Sequence, residues 1–188
     1  MKTVVISGSN VGTKSRVAAD EYIKQAKSYR PDADMELIDL AEKDMVFSDG
    51  RNYFEYPGDT GQVLKTIMAA DVLVLTMPTF QASYPATVKN LFDLLPVNAF
   101  RDKVVGVINT AGSPRHYLMV ETQLMPILNY MKATVVNKYV FIEERDFSRN
   151  EIVSDDIIFR IERLVDDVFT MADVQAEIQA KKDAAYGF

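Results

Sequence analysis

Three short segments hold residue types able to do chemistry, and each follows an apolar run. The first is Gly8-Ser9-Asn10-Val11-Gly12-Thr13-Lys14-Ser15. Hydroxyls at Ser9, Thr13 and Ser15, a charge at Lys14 and free N–H groups where a helix starts make a site for an anion such as a phosphate. The same residues also make an ordinary strand-to-helix turn with Ser15 as its cap. The second is Pro78-Thr79-Phe80-Gln81-Ala82-Ser83-Tyr84. Phe80 and Tyr84 offer ring surface to a flat heteroaromatic ligand, and Gln81 and the backbone of Pro78 and Thr79 offer polar contacts. Packing of Phe80 beneath its loop and of Tyr84 in a subunit contact is an equal alternative. The third is Thr110-Ala111-Gly112-Ser113-Pro114-Arg115-His116. Gly112 lets backbone come close to a ring, and Thr110 with the N–H groups of Ala111 to Ser113 can bond the ring's polar edge; a plain turn accounts for the segment equally well. Arg115 can pair with a nucleotide phosphate or stay solvated. His116 beside it is a capping or surface residue, or a proton donor.

Two other nucleotide patterns fail here. A dinucleotide fingerprint needs glycine two residues after Gly8, where Asn10 stands. The phosphate loop of nucleoside triphosphatases matches at Gly8, Lys14 and Ser15, but Thr13 occupies its last glycine. The runs at 71–77 and 103–109 also end without the acid that holds magnesium.

Composition narrows the classes further. The chain has 188 residues, no cysteine, one histidine and a formal net charge of -6. Disulfides, thiol redox centres and multi-histidine metal sites are excluded. The acidity and the lack of a basic stripe argue against nucleic acid and anionic membrane as partners. No apolar run approaches the ~20 residues that span a bilayer, and Met1 to Asn10 does not read as a signal peptide. The expected location is the cytoplasm, and an electron-transfer role needs a bound cofactor.

The elements that position the loops alternate strand and helix. Strands are expected at Thr3–Ser7, Met35–Leu40, Asp71–Met77, Lys103–Asn109 and Ala133–Ile142, several of them apolar throughout. Helices are expected at Ser15–Tyr29, Thr60–Ala70, Ala86–Leu95, Tyr117–Met131 and Asp155 to about Lys182, with a kink or a break at Pro126. Ala41–Gly61 is a long irregular segment carrying Phe47, Tyr53, Phe54 and Tyr56, of which Tyr53, Phe54 and Tyr56 either roof a neighbouring subunit's site or pack beneath their own loop. The pairs Glu143-Glu144 and Asp166-Asp167 read as solvated faces. Val174 to Phe188 has few apolar residues, and there it frays or joins an oligomer contact. The pattern predicts an α/β domain over 1–188: a parallel sheet of five strands in the order 2-1-3-4-5, with helices on both faces. Such sheets bind ligands at the carboxyl ends of the strands, beside the reversal of strand order, where the three loops then meet.

The stretch Pro78-Thr79-Phe80-Gln81-Ala82-Ser83-Tyr84-Pro85-Ala86-Thr87-Val88-Lys89-Asn90-Leu91-Phe92-Asp93 resembles the signature P-x-Y-x-x-S-x-P-x-x-L-K-N-x-x-D of NADPH-dependent FMN reductases. Leu94-Leu95-Pro96, Lys103-Val104-Val105 and Thr110-Ala111-Gly112 resemble the branch that supplies reduced flavin to two-component monooxygenases; azoreductases and chromate or quinone reductases share the signature. The likeness covers about residues 1–142. Three positions depart from it: Val11 stands where an arginine is usual, Phe80 where a tyrosine is usual, and the third loop carries Ser113-Pro114.

The resemblance implies a flavodoxin-like three-layer sandwich that binds FMN and oxidises NADPH or NADH by ping-pong hydride transfer at the flavin N5, with no obligatory acid or base from the chain. It implies that Ser9, Thr13, Lys14, Ser15, Pro78, Thr79, Phe80, Gln81, Tyr84, Thr110, Ala111, Gly112 and Ser113 contact the cofactor. Arg115 and His116 then lie on the nicotinamide or substrate side. The acceptors are small molecules (a flavin, quinone or azo compound), and the chain forms a homodimer or homotetramer and serves a partner monooxygenase. An electron carrier that holds FMN without oxidising NAD(P)H, and a binding module that has lost the cofactor, share the same fold.

Overall fold

A computed structural model describes residues 1–186. Gly187 and Phe188, part of the expected domain and of the expected terminal segment, lie outside the described residues. The β-branched run Thr3-Val4-Val5-Ile6 forms β1 (Lys2–Ser7), buried on both faces from Thr3 onward. Its neighbours are β2 (Asp34–Asp39) on one side and β3 (Val72–Pro78) on the other. β4 (Val104–Ala111), buried along its whole length, pairs with β3 in parallel. The sheet order is β2-β1-β3-β4-β5, with every pairing parallel, as the alternating pattern requires.

The expected fifth strand at Ala133–Ile142 is broken. β5 (Thr134–Val135) pairs with Val104–Val105, and β6 (Val140–Glu143) pairs with Ile108–Ala111. From Val104 to Ile108 the chain advances four residues, while from Thr134 to Val140 it advances six. The two extra residues are accommodated where Asn137 and Lys138 turn outward, residue types poorly suited to a strand. The sheet edge thus carries two strand pieces where one was expected. A second departure follows directly: β7 (Phe147–Ser148) and β8 (Glu151–Ile152) form a small antiparallel hairpin.

Alternate side chains of the central strands feed two cores. Val4, Ile6, Leu73, Leu75, Val105 and Val107 face α2 (Gly58–Met68), α3 (Ala86–Leu94) and α4 (Met125–Tyr130). Val5, Val72, Val74, Val104 and Ile108 face α1 (Lys14–Tyr29) and α5 (Asp155–Tyr186). Ile157, Ile161, Leu164, Val165, Val168 and Phe169 recur at helical spacing on α5 and are all buried; each contributes about 1.5–3 kcal/mol of transfer free energy. α5 crosses β4 where Gly106 stands, and a Cβ there would lie 2.9 Å from the Val168 Cγ2 methyl. This close approach is what the glycine permits.

The helical segment expected at Tyr117–Met131 is divided beside Pro126, the break rather than the kink. A short 3-10 turn at Pro114–His116 leads to a wider, π-type turn at Val120–Leu124, in which the Met125 N–H reaches back to the Val120 carbonyl. Pro126 has no N–H to give to Thr122, so the wide turn and the start of α4 fall beside it. The long segment carries two 3-10 turns, Leu40–Glu42 and Tyr53–Glu55, and α2 begins at Gly58, two residues before the expected start. Of its aromatics, Tyr56 is buried with its hydroxyl donating to Asp49 Oδ1 at 2.8 Å, whereas Phe47 and Phe54 are exposed.

Candidate active site

Strand order brings the carboxyl ends of β1, β3 and β4 side by side, and their three following loops converge on one cleft of about 440 Å³. That volume lies within the roughly 300–1,000 Å³ of small-molecule sites. The cleft is lined by Val11, Gly12, Thr13, Lys14 and Ser15 from the first loop and Pro78, Thr79 and Phe80 from the second. Thr110, Ala111 and Gly112 line it from the third, and Glu144 from the turn after β6.

The first loop is pinned at its base. The Gly8 N–H donates to the Thr76 carbonyl at 2.7 Å, and the Gly8 carbonyl accepts the Thr87 hydroxyl. A Cβ at Gly8 would stand 2.5 Å from a methyl of Val88, so only glycine lets this loop pass the start of α3. Gly12 then turns with φ +76, a conformation that costs glycine nothing. At the start of α1, Thr13 makes no side-chain cap and the first turn holds no acidic residue. The end of the helix that favours anions is therefore left without an internal acceptor from its cap. Ser9 points elsewhere: its buried hydroxyl donates to the Val11 carbonyl at 2.6 Å and accepts the Val11 N–H. Ser9 braces the loop from behind and does not line the cleft.

The second loop makes a two-residue hairpin turn. The N–H of Phe80 donates to Ser83 and the N–H of Ser83 to Phe80, at 2.8 and 2.9 Å. Gln81 and Ala82 both take positive φ, 48° and 60°, in the pattern of a type I′ turn without its usual glycine or asparagine. Gln123 holds the turn, its Nε2 donating to the Ala82 carbonyl at 2.7 Å while its Oε1 accepts the Ser83 hydroxyl. The result leaves the Phe80 ring 39% exposed at the cleft wall. Gln81 sits at the exposed tip, off the cleft. Tyr84 also turns away; its ring meets Phe92 edge-on at 6.4 Å and packs on the core, where burial pushes its phenol above the usual range.

The second and third loops are joined. The Thr79 N–H donates to the Thr110 carbonyl at 2.8 Å, and the buried Asn109 amide donates to the Thr79 hydroxyl at 3.0 Å. Gly112 faces open space, with no atom within 4 Å of where a Cβ would stand. Ser113 caps the following turn by accepting the Arg115 N–H, and Arg115 and His116 lie in that turn outside the cleft lining.

Sequence reasoning missed the fourth wall. Glu144 follows β6, and its carboxylate takes the Lys14 ammonium. Asn150, in the hairpin turn, accepts the Thr13 hydroxyl at 3.2 Å, and Lys14 also lies 5.7 Å from the Phe147 ring. The place of Glu144 at the carboxyl end of a strand was the available signal, but the Glu143-Glu144 pair reads as surface. Asn90, within the central signature, serves the scaffold: its amide bonds Val46 and Ser48 at 2.9 and 3.0 Å and ties the long segment to α3.

A phosphate-bearing flat ring fits these residues. The uncapped start of α1 suits the phosphate, and the Pro78–Phe80 wall with the open edge at Thr110–Gly112 suits the ring. The architecture is a flavodoxin-like α/β sandwich; an archaeal flavodoxin overlays 92% of this chain at a TM-score of 0.60 and 14% identity, with 99% of its own chain matched. The sequence profile of the NADPH-dependent FMN reductases matches residues 1–146, and the chain belongs to that family. It is 36% identical over 172 residues to an NAD(P)H-dependent FAD/FMN reductase of Geobacillus thermodenitrificans, spanning 91% of this chain and 93% of that one. An NADH:FMN oxidoreductase (EMOB) solved in its apo form overlays with a TM-score of 0.73 at 25% identity, covering 88% of this chain and 86% of that one. Among the described residues, no helix is long and apolar enough to cross a membrane.

Proposed function

We propose that this chain is a flavoprotein oxidoreductase that takes hydride from NADPH or NADH with FMN in the cleft and delivers the reducing equivalents to a second acceptor. The convergence of the three loops on one cleft is the observation that carries this reading. When bound, FMN supplies the hydride-accepting atom, which no side chain offers. The backbone N–H groups at the start of α1, with the hydroxyls of Thr13 and Ser15 and the charge of Lys14, hold the phosphate. Pro78, Thr79 and Phe80 form one wall for the ring. The backbone of Thr110, Ala111 and Gly112 meets its polar edge, and the open space at Gly112 leaves a face for the nicotinamide. Arg115 and His116, just outside the lining, stand where the donor nucleotide or the acceptor arrives. Ser9, Gln81, Tyr84 and Ser113 shape the loops that carry these contacts.

The acceptor is a flavin in this reading, as the name of the Geobacillus relative supports, with quinones and azo compounds as other small-molecule acceptors. We place the enzyme in the cytoplasm as one domain over the whole chain, assembled as a homodimer or homotetramer, with a monooxygenase as consumer of the reduced flavin. The test is to mix the purified protein with FMN and either NADPH or NADH and to follow loss of the reduced nicotinamide, in air and without oxygen. Oxidation well above that of FMN alone is expected. FMN binding without nicotinamide oxidation would select a simple electron carrier instead.

A further inference from the structure

Both cations at the start of α1, Lys14 in the cleft lining and Arg16 outside it, are already committed to carboxylates. Lys14 lines the cleft, and Glu144 from the opposite wall holds its ammonium. Arg16, the next cation along α1, donates to Asp39 and Asp20, each at 3.0 Å, and to Glu42 at 3.3 Å. Val11 supplies no charge, and the Thr13 hydroxyl is turned to Asn150. Thus two of the three polar side chains at the start of α1 that line the cleft, Thr13 and Lys14, engage the segment from Glu144 to Asn150, and the third, Ser15, is buried.

We propose that Glu144 is an affinity-setting residue, which keeps the phosphate of FMN loosely held by sequestering the Lys14 ammonium and placing a second negative charge at the phosphate end. This inference rests on the reading of the cleft as an FMN site. The physical basis is competition. A phosphate dianion entering the cleft must share Lys14 with Glu144 or displace it, and whichever occurs, the carboxylate remains nearby. Lys14 is 35% exposed and Glu144 65%, so solvent screens the effect and keeps it modest.

The experiment is a fluorescence titration of the full chain with FMN and, separately, with riboflavin, which has the ring but no phosphate. Wild type is compared with Glu144→Gln and Glu144→Ala at low and at high salt. Both variants should bind FMN about five-fold more tightly at low salt, leave riboflavin affinity unchanged, and lose most of the gain at high salt. FMN bound equally by wild type and variants, bound more weakly by the variants, or tightened together with riboflavin overturns the inference and leaves the cleft a flavin site. If no protein binds either flavin and none oxidises NAD(P)H, the cleft reading falls and takes the inference with it.

Discussion

At the amino end of the sheet, Asp71 and Lys103 close the backbone on itself. The Asp71 N–H donates to the Lys2 carbonyl at 2.9 Å, its carboxylate accepts the Lys2 N–H at 2.7 Å, and its carbonyl accepts the Val104 N–H at 3.1 Å. The half-buried Lys103 ammonium donates to the Met68 carbonyl at 2.8 Å and to that of Ala70, capping the end of α2, and burial lowers its pKa. At the carboxyl end the pattern is reversed. The start of α1 has no side-chain cap, Phe80 exposes its ring, Gly112 faces open space, and the ion pair of Lys14 bridges two walls of a cleft. The sheet is closed off at one end, and at the other it leaves an uncapped helix start, ring surface and open space.

β4 runs through both regimes, so Gly106 within it and Gly112 just after it give the sharpest test. Gly106→Val would set a Cβ 2.9 Å from Val168, 3.6 Å from Leu164 and 3.7 Å from Val74, with two further methyls to house. Overpacking should destabilise the protein by about 2–3 kcal/mol, measured by urea denaturation. Gly112→Val, where β4 leaves the sheet, meets no atom within 4 Å and replaces a glycine whose φ is not left-handed. Its stability should stay within about 0.5 kcal/mol of wild type. Its FMN dissociation constant should rise about ten-fold, a loss of about 1.4 kcal/mol, because the side chain keeps the ring's polar edge from the backbone at Thr110–Gly112. A stable Gly106→Val or an unfolded Gly112→Val would break the contrast between the two ends.

The contrast also separates what the sequence made legible from what it hid. Short apolar runs such as Val72-Leu73-Val74-Leu75 and Val104-Val105-Gly106-Val107-Ile108, rich in valine and too short for a helix, point to buried parallel strands. With strand order assigned, the meeting of the loops after β1, β3 and β4 followed. The break between β5 and β6 and the hairpin at 147–152 did not, since two-residue strands leave no periodicity to read. Glu144 is brought to the cleft, and Asn150 to the Thr13 hydroxyl, by those same short pieces, so the fourth wall was hidden with them. Ser9 and Tyr84 show a different limit. Residue type and loop were legible, but the direction of a side chain is set by local contacts, here the Val11 backbone and the Phe92 ring.

Backbone strain offers the finest test of the comparison. Lys132, at the amino end between α4 and β5, has φ 71°, and Ala82, at the cleft, has φ 60°. A left-handed conformation costs an L-residue about 1–2 kcal/mol, and glycine removes that cost while adding about 0.4–1 kcal/mol of unfolded-state entropy. Lys132→Gly and Ala82→Gly should therefore each stabilise the fold by about 0.5 kcal/mol in urea denaturation. Beyond that they should differ. Lys132 is exposed in a turn remote from the three loops, and its exchange should leave FMN titration unchanged. Ala82 holds the turn that carries Phe80, fixed through the Gln123 amide to its carbonyl. Freed by glycine, the turn samples more conformations, so FMN should bind about two- to three-fold more weakly even as the fold gains stability. Equal FMN affinity in both variants would mean that the strain at Ala82 is a feature of the turn alone and not part of how the cleft is held ready.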